Sequence, residues 1–133
     1  MRAAGLTPRR GRELGSASMP PEEPIARVDY VELSVPDGPS AKSFYEAAFG
    51  WTFQEWGPEY LAFNDGRDSG GMRVEAERKA PLVILRTDDL DAVRSRVAKA
   101  GGKILGPDHV FPGGRRFHFE DPAGNEVAVW TKA

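Results

Sequence analysis

The sequence predicts an α+β fold of two β-α-β-β-β modules, and three observations carry that expectation. The run Arg115–Trp130 reads as a β-hairpin. Two alternating segments flank Asp121-Pro-Ala-Gly-Asn125, where Pro122 presets φ, Asp121 and Asn125 can bond nearby backbone groups, and Gly124 can take a positive φ. A weaker copy lies upstream, with Tyr60–Phe63 and Met72–Glu75 flanking the turn-rich segment Asn64–Gly71. Each hairpin is preceded by a strand and an amphipathic helix, so the order of elements repeats with a period of roughly fifty residues, the mark of a duplicated architecture.

Residues 1–24 carry Pro8, Pro20, Pro21, Pro24, Gly5, Gly11, Gly15 and four arginines without a periodic apolar pattern, which predicts a disordered N-terminal extension. An arginine-rich, acid-poor start also fits a transit peptide. Against that, the segment has no amphipathic helical face, and Met19 before Pro-Pro-Glu-Glu-Pro is an equally natural start. Residues 25–133 are expected to form one domain, with modules of about 25–78 and 79–133.

In the first module Val31, Leu33 and Val35 alternate with Tyr30, Glu32 and Ser34, a strand with one face on the core. Pro36-Asp-Gly-Pro39 stops it and starts a helix: Asp37 or Gly38 can cap, and Pro39 sits in the first turn, where its missing N–H is harmless. Ala41, Phe44, Tyr45, Ala48 and Phe49 form one apolar stripe, expected to face the sheet, and Gly50 follows as the C′ residue. Short strands are expected at Trp51–Trp56, Tyr60–Asn64 and Gly71–Glu75. The second module opens with Leu82–Thr87, more apolar and so more covered than the first strand. Asp88 and Asp89 suit a helix N-terminus, Leu90, Val93, Val97 and Ala100 form the buried stripe, and Gly101-Gly102 ends it. Lys103–Leu105 reads as a short strand and Gly106–Gly114 as a loop before the closing hairpin.

Composition narrows the chemistry. At 133 residues, 40% hydrophobic and 29% charged, the chain is an ordinary globular domain with room for a core. Without cysteine there are no disulfides, thiol nucleophiles or Cys-based metal clusters. A net charge of −2 gives no global attraction to nucleic acid or anionic membrane, so neither is expected as a partner. No apolar run is long enough to span a bilayer, and a cytoplasmic location is the default expectation.

Phe44-Tyr45-Glu46-Ala-Ala-Phe-Gly50-Trp51, Asp88-Asp89-Leu90, Gly101-Gly102-Lys103 and Asp121-Pro-Ala-Gly-Asn125 resemble, in order and spacing, the vicinal oxygen chelate superfamily. That is the group of glyoxalases, bleomycin-resistance proteins and extradiol dioxygenases, and the resemblance covers about Ile25–Lys132. It implies an eight-stranded, U-shaped mixed sheet with helices on the convex side and a homodimer. Metal-dependent members hold a divalent cation on the first and last strands of each module, positions that fall here on Tyr30, Glu75, Leu82 and Ala128. Leu82 and Ala128 supply no ligand atom. A register slip of two would offer Glu32 and Glu126, but would set Ile84 or Ala80 on the second module's first strand. No metal and no cofactor are therefore expected.

The remaining candidates lie on strand faces directed at the concavity. His118, between Phe117 and Phe119, is the best single acid–base candidate, with simple hydrogen bonding to a neighbour as the plainer reading. His109 beside Asp108 is expected to be solvent-exposed in a loop. Glu32 and Glu75 are candidate bases whose pKa burial would raise, and the plainer reading pairs them with Arg73, Arg86 or Arg116. Tyr30, Trp56, Tyr60 and Trp130 would supply flat walls. The ligand-binding set is thus Tyr30, Glu32, Trp56, Tyr60, Arg73, Glu75, Arg86, His118 and Trp130. The leading expectation is metal-independent binding of a small organic molecule, with sequestration of a drug or metabolite as the role. The alternative is a lyase, isomerase or dioxygenase acting through His118 and Glu75 or a displaced divalent metal. A protein-interaction module is a third reading.

Overall fold

A computed structural model describes residues 23–133. The expected N-terminal extension, residues 1–24, falls almost wholly outside the described residues. The elements run β1 (Ala26–Val35), α1 (Gly38–Phe49), β2 (Thr52–Glu55), β3 (Tyr60–Asn64), β4 (Ser69–Val74), β5 (Leu82–Thr87), α2 (Leu90–Lys99), β6 (Lys103–Phe111), β7 (Gly114–Glu120) and β8 (Glu126–Lys132). All the strands join one eight-stranded mixed sheet in the order β2-β3-β4-β1-β5-β8-β7-β6. The duplicated fold is as expected. Each module lays its last strand parallel to its first, β4 on β1 and β8 on β5, and the modules meet where β1 pairs antiparallel with β5.

Local chemistry explains the element ends. Asp37 caps α1 by accepting from the Ser40 N–H at 3.1 Å, and Gly50 ends it in the left-handed region at φ 75°. Asp89 caps α2 in the same way through the Ala92 N–H. In the β7–β8 turn the Asp121 carboxylate accepts from the Ala123 and Asn125 N–H groups, and Gly124 sits at φ 96°. Hydrogen bonding by Asn125 holds the Asp121 carboxyl below the usual carboxylate range.

Strand alternation sorts the side chains into three clusters. Leu90 and Val93 of α2 pack on Phe117 and Val129, while Leu61, Phe63 and Met72 form the core under α1. Leu82, Ile84 and Ala128 point to the opposite face, where Tyr30 and Trp130 pack against them. The first-module core is capped by stacked rings, Tyr45 on Trp51 at 4.8 Å and Trp51 on Phe63 at 4.6 Å.

Two expectations are corrected. The α1 stripe is narrower than its sequence: Ala41 and Tyr45 pack on the sheet, whereas Phe44 and Phe49 lie on its flanks and are 57% and 64% exposed. Gly106–Gly114 is mostly strand. β6 runs on to Phe111 through a register shift between Leu105 and His109, which absorbs the Gly106-Pro107 pair that reads as a loop.

Candidate functional site

The face away from the helices carries an open cleft of about 1070 Å³. Because side chains alternate along a strand, Tyr30 and Glu32 of β1, Tyr60 of β3, Arg73 of β4 and Arg116 and His118 of β7 all line it. Trp56 stands on one rim beyond β2, and His109 and Phe111 of β6 on the other, so the two sheet edges form the walls. Leu82, Ile84 and Ala128 form a buried apolar cluster on this side of the sheet, beneath the lining residue Tyr30, and do not themselves line the cleft.

Glu32 is the polar centre. Its side chain is 2% exposed. The Tyr60 hydroxyl donates to Oε2 at 3.0 Å, Arg73 Nε lies 2.8 Å from Oε1, and Arg116 Nη2 donates to Oε1 at 3.5 Å. The Arg73 Nε–H is not aimed along its short contact, so this is a charge contact rather than an aligned hydrogen bond. A buried carboxylate is tolerated because two guanidinium groups and a phenol replace its lost water. Burial, then the Glu32 charge, push the Tyr60 phenol far up its scale and raise Tyr30 in the same way, so both stay protonated at neutral pH.

His118 is tied at both ring nitrogens. Arg116 Nε can only donate, and it donates to His118 Nε2 at 3.1 Å. The ring hydrogen therefore resides on Nδ1, which donates to Glu126 Oε2 at 2.7 Å. Burial keeps the His118 pKa below its ordinary value despite Glu126. His118 is thus a neutral imidazole whose lone pair is engaged, and acid–base work would first require Arg116 to leave. His109 belongs to β6 rather than to a loop; its exposed ring stands at the cleft mouth, 5.6 Å from the His118 ring.

Glu75 departs from expectation. The Ser34 hydroxyl donates to it at 2.5 Å, and with Arg73 at 3.5 Å this lowers its pKa instead of burial raising it. It stays ionised as a weak base. Arg86 and Trp130 pair with each other and are not among the residues that line the cleft. The Arg86 guanidinium lies 5.0 Å from the Trp130 ring, and the indole N–H donates to Asp29 at 2.8 Å. Arg86 lines a separate pocket with Arg27, Thr87 and Asp88, away from Arg73. The sequence reading missed Phe111, since Pro107, Pro112 and the glycines around them mask the strand that carries it; the alternation from His109 to Phe111 was its one signal.

The residues do not fit the divalent cation that the resemblance brings with it. Leu82 and Ala128 are buried in an apolar cluster and offer no ligand atom, and Glu75 and Glu32 are bound to Ser34 and to arginines. Among the described residues no group of three His, Asp or Glu side chains converges on one point.

Residues 27–129 match the family model described as Glyoxalase/Bleomycin resistance protein/Dioxygenase superfamily. The chain belongs to this superfamily. Among its relatives, the anthracycline biosynthesis protein DnrV of Streptomyces peucetius is 31% identical over an alignment taking in 77% of this chain and 46% of DnrV. The putative glyoxylase CFP32 of Mycobacterium tuberculosis is 28% identical, with 77% and 44% covered. The chain therefore spans less than half the length of these relatives. The Mn(II)-bound glyoxalase of Novosphingobium aromaticivorans superposes with a TM-score of 0.62 at 27% identity, covering 80% of this chain and 40% of that one. A superfamily member from Vibrio splendidus, at 16% identity, shares the fold with a TM-score of 0.65 and is covered over 99% of its length, against 80% of this chain.

Proposed function

We propose that this superfamily member binds a flat, aromatic organic molecule in its cleft without a protein-held metal, and that it sequesters or passes on such a molecule. The observation that carries the reading is that Leu82, Ile84 and Ala128 form a buried apolar cluster, where metal ligands would be needed, beneath the cleft. Tyr30, Trp56, Tyr60 and Phe111 add ring surfaces around it. Similarity to an anthracycline biosynthesis protein supports a polycyclic ligand. The reading takes the protein to be cytoplasmic and a homodimer, and the exposed Phe44 and Phe49 on α1 support the dimer.

Titration with anthraquinone-2-carboxylate tests it. Ligand stacked at the rim should quench tryptophan fluorescence, Trp56→Ala should weaken binding, and the same sample should sediment as a dimer. An unchanged emission spectrum at saturating probe would contradict the binding reading, and a monomer at micromolar concentration would contradict the dimer. A metal-dependent lyase, isomerase or dioxygenase is the second reading, favoured by the likeness to a Mn(II)-bound glyoxalase; turnover that needs added divalent metal would establish it.

A further inference from the structure

Resting on that flat-ligand reading, we propose that Arg116 receives an anionic group of the ligand, and that His118 is a positioning residue that holds Arg116 ready for it. Among the described residues three cations, Arg73, Lys79 and Arg116, line the cleft, and their carboxylate contacts differ. Arg73 lies 2.8 Å from Glu32 and 3.5 Å from Glu75, and Lys79, 3.8 Å from Glu75, has a 66% exposed side chain whose charge water screens, whereas the Arg116 side chain is 18% exposed. Arg116 has only a 3.5 Å contact with Glu32, a carboxylate already engaged by Arg73 and Tyr60. Its Nε is directed at a neutral imidazole, which leaves guanidinium N–H groups without a carboxylate partner among the described residues. The register sets Arg116 between His109 on β6 and Trp130 on β8, and both Arg116 and His109 line the cleft.

The choice of histidine follows from the same geometry. A carboxylate at position 118 would orient Arg116 equally well but would cancel its charge. A neutral imidazole orients the guanidinium through Nε2 and leaves the charge available to the ligand. Glu126, 54% exposed, binds the far side of the ring through Nδ1, where it fixes the tautomer and is screened by solvent.

The test compares anthraquinone-2-carboxylate with its neutral carboxamide, the second reporting whether the cleft is intact in each variant. Arg116→Ala should weaken the carboxylate about tenfold or more, the loss of one charge-assisted contact, and the carboxamide less than about twofold. His118→Gln, which places an amide oxygen near Nε2, should stay within about threefold of wild type, whereas His118→Leu should approach the Arg116→Ala loss. In an Arg116→Ala background, His118→Leu should then add nothing. Equal weakening of both probes by Arg116→Ala would overturn the anion assignment. An additive His118→Leu loss would overturn the positioning role. If wild type binds neither probe, the flat-ligand reading itself fails, a result distinct from either of these.

Discussion

Glu32 and Phe44 show, in opposite directions, how far a single residue's place follows from the local pattern. Alternation along β1 directs Glu32 to the cleft face, and the structure adds what alternation cannot hold, namely that residues from β3, β4 and β7 converge on it. Phe44 falls on a regular helical stripe, yet its ring is 57% exposed because α1 touches the sheet through Ala41 and Tyr45. Periodicity specifies which residues share a helix side but not how wide the covered strip is. Phe117, fully buried beneath α2, is the contrasting case. Denaturant unfolding of the monomer, at protein concentrations low enough to dissociate the proposed dimer, should therefore give a loss of about 3–5 kcal/mol for Phe117→Ala and less than about 1 kcal/mol for Phe44→Ala. A large loss at Phe44 in the monomeric protein would mean that α1 is rotated from the position described.

Elements with strong local punctuation were legible in the sequence. The caps at Asp37 and Asp89, the glycine at the end of α1 and the Asp121–Asn125 turn each act within a few residues, and all are where the sequence places them. Only the start of β6, Lys103–Leu105, was legible, because its continuation past Gly106 depends on pairing with β7 across a bulge, a contact between separate segments. β4 shows an element shaping the site by what it lacks. A Cβ at Gly71 would run into the Tyr60 hydroxyl, and one at Gly70 would meet the Phe63 ring. The bare backbone at Gly71 lets Tyr60 lie across β4 and reach Glu32. Gly71→Ala should displace Tyr60, lower stability by about 1–3 kcal/mol and weaken binding of an aromatic ligand. Unchanged melting and affinity would show that Tyr60 does not depend on this gap.

At the scale of the whole molecule, two modules joined through β1 and β5 make one sheet whose helix side forms the core and whose open side forms the cleft. The duplication was readable because both copies kept their hairpins and capped helices. The content of the cleft was readable only in part, since Leu82 and Ala128 announce themselves as non-ligands while the grip of Arg116 on His118 depends on exact side-chain directions. As proposed, the cleft holds its ligand by direct apolar and charge-assisted contact. Calorimetric titration with anthraquinone-2-carboxylate, run once in EDTA and once with added Mn(II), tests this most directly. The same affinity and stoichiometry are expected in both, and binding that appears only with the metal present would rule out direct contact as the mode of binding.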